Sequence, residues 1–445
     1  MSTMMNDRQG ISKLGFIFIL GFLSGCRLPP AQIDADSSEK SALSRREIHR
    51  RQVIRDSAAQ IAFHPLAAAK LLLLTPINHW WTVGTSGISS AADWRPAEIH
   101  IYTSGQEALA ALHQIIAQAS KRIDVVMFIW NSDPLGEDLA RRLAAKAGPE
   151  LPVRVLVDGG GNLLFGLTAE ASADQVDRVI AWLAQQPYVQ VIRSRNPCWH
   201  YDHRKLVLAD CRMAWTGGRN FTEPGFFRQH DLALTVTGPP VEEIQDSFDR
   251  SWKSQGGAPI PRLPIEDSPE ANACARLIGT DPPNLEIERA VYRAVAAAQD
   301  RIFLENFTLC DGPLMRKLIR AKRRGVDVRV VTTLENTNEM LNRANKVVAN
   351  RLFQAGIRVY LFPGMMHVKA LVVDGSWAYT GTGNFDPISL RRNRELGLEI
   401  GAGDLVTELE QRLLQPDIQP EWEMKETFPV SPKDRFLAII SRIAF

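Results

Sequence analysis

The amino-acid sequence predicts an α/β protein made of two related halves. Three observations point there. β-rich apolar runs alternate with helical stretches of about 10–15 residues, the mark of a sheet with helices on its faces. The alternation stops at a Gly/Pro-rich segment and restarts in the same order. One short motif is spelled in both rounds, which implies an internal duplication with a period of about 160 residues.

The alternation begins at Glu98. Helical spacing over Ala108–Ser120 is followed by a β-rich run, Ile123–Trp130, a helix over Gly136–Ala147 and a strand at Val153–Asp158. A helix over Glu170–Gln185 and a short strand, Val189–Arg193, come next. Strands at Lys205–Leu208, around Met213–Trp215 and at Asp231–Val236 lead to a closing helix, Val241–Lys253. Residues 254–270 concentrate glycine and proline and read as a linker. The second round expects helices at Glu286–Ala298, Gly312–Arg324 and Leu341–Ala355. Its strands are Arg301–Glu305, Val326–Thr332, Arg358–Leu361, Lys369–Val373, Trp377–Tyr379 and Leu396–Ile400. The expected domains are therefore 98–253 and 271–415, with a tail at 416–445. The apolar tail, Phe436–Phe445, packs onto the body or touches lipid.

Composition narrows little. A chain of 445 residues suggests two or three domains, and a net charge of +2 lacks the basic excess of a dedicated nucleic-acid binder. The N-terminus says more. Arg8 and Lys13 precede a run, Leu14–Leu23, that is too short to span a bilayer and ends in Leu23-Ser24-Gly25-Cys26. Residues 1–26 thus resemble a bacterial lipoprotein signal, with Cys26 lipidated as the new N-terminus. Arg27 in place of aspartate favours the outer membrane by the same resemblance. The expected location is the cell envelope, lipid-anchored and facing the periplasm. Residues 27–97 read as a polar tether that becomes helical near Ala58, then as an apolar stretch, Leu66–Leu74, before Trp80-Trp81. That stretch suits a bilayer interface or a core helix. Cys198, Cys211, Cys274 and Cys310 follow. They form two disulfides, with Cys198 and Cys211 the first candidate pair, or remain as buried thiols. They lack zinc-ligand spacing, so neither metal nor other cofactor is expected.

The chemistry lies in the repeated motif. His203, Lys205 and Asp210 recur as His367, Lys369 and Asp374, 164 residues later. Asn220 and Asn384 each lie 17 residues after their histidine, and Asp231 and Glu395 each lie 28 after it. Alternate residues of a strand share a face, so each histidine projects with its lysine at a sheet end. Lysines and amides suit the oxygens of a phosphodiester, and turn glycines at 217, 218, 381 and 383 let Asn220 and Asn384 approach them. One neutral imidazole can attack phosphorus while the other, protonated, supplies the leaving alkoxide with a proton. A carboxylate on the far ring nitrogen, the expected task of Asp231 and Glu395, fixes each tautomer. Asp210 and Asp374 belong to the motif but sit at strand ends, ranked below the histidines and lysines as architectural groups. His200 and His230 have no duplicates and read as neighbours or surface groups.

These residues resemble the duplicated HKD motif of the phospholipase D superfamily, over roughly 100–415. The nearest likeness is to bacterial cardiolipin synthases, carried by Thr216-Gly-Gly-Arg-Asn220, Pro363-Gly-Met-Met-His367-Val-Lys369 and Gly381-Thr-Gly-Asn384-Phe-Asp-Pro387. The stretch Ser389–Glu395, with Asp133–Gly136 and Arg324–Arg329, adds to it. The resemblance implies two α/β sandwich domains related by a pseudo-twofold axis and sharing one active site. It implies phosphatidyl transfer between phospholipids such as two phosphatidylglycerols, with His203 as nucleophile and His367 as acid and base. The partners are then a phospholipid substrate and a membrane, without nucleic acid or an obligate dimer. The chain departs from many cardiolipin synthases in lacking paired N-terminal transmembrane helices, which keeps a hydrolytic phospholipase D open as the alternative. A nuclease of the same superfamily would want a basic groove, for which Arg/Lys groups at 317–324 and 391–394 are the candidates. A catalytically dead lipid-binding scaffold sits poorly with two intact motifs.

Overall fold

In a computed structural model of the chain the described residues are 94–161, 173–196, 200–264, 270–336 and 339–444. The leader with Cys26, the stretch through Trp80 and Trp81, and Cys198 lie outside them.

The first half runs β1 (Arg95–Tyr102), α1 (Gly105–Gln118), β2 (Ile123–Met127), α2 (Pro134–Lys146), β3 (Val153–Asp158), α3 (Ala173–Leu183), β4 (Val189–Ser194), β5 (Lys205–Ala209), β6 (Met213–Gly217), α4 (Glu223–Phe227), β7 (Ala233–Thr237) and α5 (Pro240–Ser254). The second runs β8 (Ala273–Asp281), β9 (Asn284–Leu285), α6 (Glu286–Ala297), β10 (Arg301–Asn306), α7 (Gly312–Arg323), β11 (Asp327–Thr332), α8 (Glu339–Gln354), β12 (Arg358–Leu361), β13 (Lys369–Val373), β14 (Trp377–Gly381), α9 (Pro387–Arg391), β15 (Glu395–Gly401) and α10 (Asp404–Leu409). A π-helical turn, Glu410–Leu414, and α11 (Pro432–Ala444) complete it. Helix starts follow local chemistry: the side chains of Asp133, Thr222, Asp311 and Asp386 each accept a backbone N–H, just ahead of a proline in the first turn.

Strands bond in the order β4-β3-β2-β5-β6-β7-β1 in one half and β12-β11-β10-β13-β14-β15-β8 in the other. The two orders are the same order. β1 pairs antiparallel with β8, so one fifteen-stranded sheet passes through both halves. β2, β3 and β4 are mutually parallel, as are β10, β11 and β12, and in each half the motif strand runs antiparallel to its inner neighbour. β2 and β3 are buried along their whole length, as a parallel sheet covered on both faces requires.

Three apolar clusters fill the layers. One lies under α1–α3, one under α6–α8, and the third is continuous across both halves. The shared cluster packs Val241, Ile244, Phe248 and Trp252 of α5 and Leu405, Val406 and Leu409 of α10 with Leu206 and Ala370 from the two motif strands. Each fully buried Val, Leu, Ile or Phe among them contributes about 1.5–3 kcal/mol, so the halves are held together by core rather than by the linker alone.

Two strands depart from expectation. β1 and β8 are the seam of the molecule, yet polar and charged residues break their apolar runs: β1 buries Ala97, Ile99 and Ile101 while Glu98, His100 and Tyr102 face outward. The strand that opens the first half starts at Arg95, three residues ahead of Glu98. The tail packs on the body: Met424 N–H bonds to Val359, Asn350 brackets Phe428, Arg343 pairs with Asp434, and α11 lies on α8. Among the described residues no disulfide forms; Cys211 and Cys310 are buried thiols and Cys274 is exposed.

Candidate active site

β5 and β13 begin at the two lysines, with the histidines two residues upstream. Registers gather the rest. Leu206 pairs with Thr216 and Gly217 with Ala233, so Asn220 and Asp231 emerge at the sheet end that holds His203. Ala370 pairs with Thr380 and Gly381 with Gly397, which does the same for Asn384 and Glu395.

The halves then exchange their carboxylates. His203 Nδ1 lies 2.9 Å from Glu395 Oε1 and 3.0 Å from Oε2. His367 Nδ1 lies 2.7 Å from Asp231 Oδ2. The backbone crosses in the same sense: His203 N–H donates to Arg394 O at 2.9 Å, and His367 N–H to His230 O at 2.7 Å. Two short parallel bridges, Asp202 with Arg394 and His230 with Met366, carry this exchange. The residue before each carboxylate thus holds the backbone of the opposite histidine, and the carboxylate holds its ring.

Lys205 Nζ donates to His203 O at 2.6 Å, and Lys369 Nζ donates to His367 O. Each ammonium also lies over a phenylalanine, Phe128 at 4.9 Å and Phe307 at 5.4 Å. The same rings meet the imidazoles edge-on, with centroids 4.5 Å (Phe128–His203) and 4.9 Å (Phe307–His367) apart. Asn220 and Asn384 are nearly buried; Asn220 Oδ1 accepts from Ile129 N–H at 3.3 Å, while Asn384 Oδ1 accepts nothing from the described residues.

Burial lowers both imidazoles. His203 falls below its ordinary value despite Glu395, with Lys205 and Lys369 adding to the fall. His367 is pushed down to about 3 by burial and then by Lys369. Burial also brings Lys205 down to about 7 and Lys369 to about 8. It works to raise Glu395 and Asp231, but the facing His203 and His367 with their lysines outweigh it, holding Glu395 at about 2 and Asp231 below its usual range. Near neutrality each ring is neutral and each carboxylate charged. A ring whose Nδ1–H is donated to a carboxylate keeps Nε2 as its basic, nucleophilic nitrogen.

The structure does not bring Asp210 and Asp374, the motif aspartates read as architectural, to the site. They lie at the far end of the motif strands in left-handed backbone, φ +57° and +53°. Asp210 accepts the N–H groups of Ser120, Lys121 and Arg122 and the Ser120 hydroxyl, and Asp374 those of Gln299, Asp300 and Arg301. Both tie the loop ahead of the neighbouring strand and leave little acceptor capacity for anything else. The candidate basic groove is also partly spent. Arg391 pairs with Glu288 and Asp311, and Arg394 with Asp281.

A family model described as "Cardiolipin synthase, PLD-like domain" matches residues 112–252 and 291–415. The chain belongs to this phospholipase D family. Cardiolipin synthase A of Erwinia tasmaniensis is 26% identical over 325 residues, covering 68% of this chain and 65% of that protein. Cardiolipin synthase A of Yersinia pestis bv. Antiqua is 27% identical over 327 residues with the same coverage. The chain thus spans just under two thirds of the length of these relatives. Among solved structures, phosphatidylserine synthase of Haemophilus influenzae Rd KW20 superposes with a TM-score of 0.62 at 15% identity, covering 79% of this chain and 95% of that one. That likeness establishes the shared phospholipase D fold.

Within this family layout four contributors escape the motif. Phe128 and Phe307 each follow the strand beside the motif strand, and only their matching place in the element order signals them. Thr382 donates its hydroxyl to Glu395 at 2.6 Å, and Asn393 Nδ2 donates to the same carboxylate at 3.1 Å. The spacing of Thr-Gly-Thr-Gly-Asn against Thr-Gly-Gly-Arg-Asn aligns Thr382 with Gly218 and could have exposed the first of these.

Proposed function

We propose that the protein is a phosphatidyltransferase of the cardiolipin synthase kind, acting through a phosphohistidine. The crossed pairs His203–Glu395 and His367–Asp231 carry this reading, since they prepare two basic ring nitrogens over one anion-binding end of the sheet. The names and fold of its relatives support a phospholipid substrate. Lys205, Lys369, Asn220 and Asn384 would neutralise and bond the non-bridging phosphate oxygens.

His203 Nε2 attacks phosphorus, forming an N–P bond as the P–O bond to the donor's alcohol breaks, and His367 delivers a proton to the departing alkoxide. His367 then takes the proton from an incoming lipid hydroxyl. That oxygen attacks phosphorus, and His203 leaves as the neutral imidazole. The bound phosphodiester's negative charge offsets the lysines that lower His367 and lets it carry the proton. Assignment of His203 as nucleophile rests on likeness to the superfamily. Roles for Asp231 and Glu395 as ring-orienting groups rest on the geometry.

The lipoprotein-type leader supports a lipid anchor at Cys26 facing the periplasm, with the outer membrane as the proposed address. Among the described residues no helix is long and apolar enough to cross a membrane.

The test incubates purified protein with labelled phosphatidylglycerol, with and without phosphatidylethanolamine, beside plasmid DNA. Cardiolipin formation, lost in His203→Ala and His367→Ala, is the expected result. Phosphatidic acid alone would point to hydrolysis, and DNA nicking without lipid turnover would overturn the lipid reading. A covalent phosphatidyl adduct trapped in His367→Ala would fix His203 as the nucleophile.

A further inference from the structure

His230 is joined by two carboxylates that no sequence spacing announces. Its Nε2 lies 2.6 Å from Asp417 Oδ2 and 3.3 Å from Glu305 Oε1. The three donor atoms lie within 4.8 Å of one another. They come from three parts of the chain: the loop before β7, β10 in the second half, and the segment after the π-helical turn.

Glu305 sets the problem. It is 0% exposed, yet it meets His230 Nε2 only as a loose ion pair, and neither of its oxygens accepts a hydrogen bond of ordinary geometry from the described residues. His230 Nε2 can carry a single N–H, and Asp417 at 2.6 Å takes it. A second buried carboxylate thus faces a nitrogen whose single N–H is already taken, with Asp417 beside it as another acid. An imidazolium with two carboxylates leaves one buried negative charge. A neutral imidazole, two carboxylates and a divalent cation sum to zero.

We propose that His230, Glu305 and Asp417 form a binding site for a divalent cation of the zinc or manganese class. One imidazole and two carboxylates are the mixed donor set these borderline cations accept. Ligands at about 2.0–2.2 Å around a tetrahedral ion stand roughly 3.4 Å apart, so the His230–Glu305 spacing already fits and Asp417 needs to withdraw by under about 1 Å. Phe362 stacks on the His230 ring at 4.6 Å and Trp422 meets Phe362 edge-on at 5.4 Å, which fixes the ring plane. His230 is also partly exposed, which leaves an approach for the ion and room for a water ligand. The cation would brace the loop whose next residue is Asp231 and whose carbonyl holds the His367 N–H. It lies beside the candidate active site and supplies no reacting group.

The proposal is independent of the phosphatidyl-transfer reading, because its readout is bound metal. Untagged full-length protein is stripped with chelator, dialysed against micromolar ZnCl2 or MnCl2 with excess MgCl2, and analysed for metal per chain and for Tm. One equivalent and a higher Tm are expected. Glu305→Gln and Asp417→Asn should each weaken binding at least tenfold, while His113→Ala, at a half-buried histidine of α1 that pairs with Asp138, leaves it unchanged. The melting transition of each variant in chelator reports whether it has folded. Wild-type protein that takes up no stoichiometric metal would overturn the proposal, and so would full uptake by both carboxylate variants. In the first case Glu305 keeps a proton instead, a state that burial and Asp417 favour by pushing it up to about 8.

Discussion

The two half-sites follow one plan but secure their carboxylates differently. In the second half, Glu395 reaches His203 while Thr382 and Asn393 bond its oxygens. In the first, Asp231 reaches His367 with one carboxylate oxygen and turns the other to the N–H of Leu232, at 2.8 Å. The aligned residue there is Gly218, and a Cβ built on it would sit 2.2 Å from Asp231 Oδ1. A short acid over a glycine and a long acid over a threonine are two solutions to one distance. The difference teaches that positions 218 and 231, like 382 and 395, are chosen as pairs. Duplication preserved the geometry at Nδ1 rather than the residues that produce it.

The comparison breaks most severely where both halves must act. His203→Ala and His367→Ala should each reduce lipid turnover by about a thousandfold or more, read as initial rates with labelled phosphatidylglycerol. Equal residual rates would mean equal dependence on both rings, whereas near-normal turnover in either variant would refute a two-histidine mechanism.

Gly218→Ala comes next. The methyl must displace the Asp231 carboxylate, and loss of a tautomer-fixing acid costs about a hundredfold to ten-thousandfold in kcat. The matching Thr382→Val removes one of several bonds to Glu395 and should cost about tenfold, near one charge-assisted hydrogen bond. Equal losses in the two variants would erase the proposed asymmetry.

The pH profile sharpens the same point. Lys205 at about 7 and Lys369 at about 8 are depressed, so their positive charge is lost as pH rises through 7–8. Anion binding then weakens, and kcat/KM should fall on an alkaline limb in that window rather than near 10. For stability the sign is opposite. The unfolded lysines hold protons up to about 10.4, so these two residues favour the folded state increasingly between pH 7 and 10. Denaturant melts of wild type and Lys205→Met across that range test it.

Smallest in catalytic effect are Asp210→Ala and Asp374→Ala. Each leaves several backbone N–H groups without their acceptor and should lower unfolding free energy by about 1–3 kcal/mol, with kcat per folded molecule nearly unchanged. A large kcat loss at undiminished stability would return these aspartates to the chemistry.

Much of this plan was legible because symmetry is a sequence property. A motif repeated with its offsets to Asn220, Asn384, Asp231 and Glu395 locates two half-sites, and buried parallel strands such as Val153–Asp158 announce themselves by apolar runs. Whatever depends on pairing was not legible. Offsets place Asp231 and Glu395 at the sheet end but cannot say that each serves the other half's histidine. β1 and β8 are strands because each is paired on both sides, β1 with β7 and β8, and β8 with β15 and β1, and their charged outward residues hide this. The His230–Glu305–Asp417 cluster joins residues up to 187 positions apart, beyond any ligand spacing.

The exchange of carboxylates has a consequence for the growing chain. When the first motif leaves the ribosome, His203 has its lysine and its phenylalanine but no acid, because Glu395 is synthesised nearly two hundred residues later. A chain that stalls or is clipped in the second half would therefore carry an imidazole with nothing to fix its tautomer. Under the proposed mechanism, reactivity toward phosphodiesters arrives only with β15, followed at once by the α10 residues Leu405, Val406 and Leu409 that complete the core joining the halves. Completion of the fold is then the event that arms the enzyme.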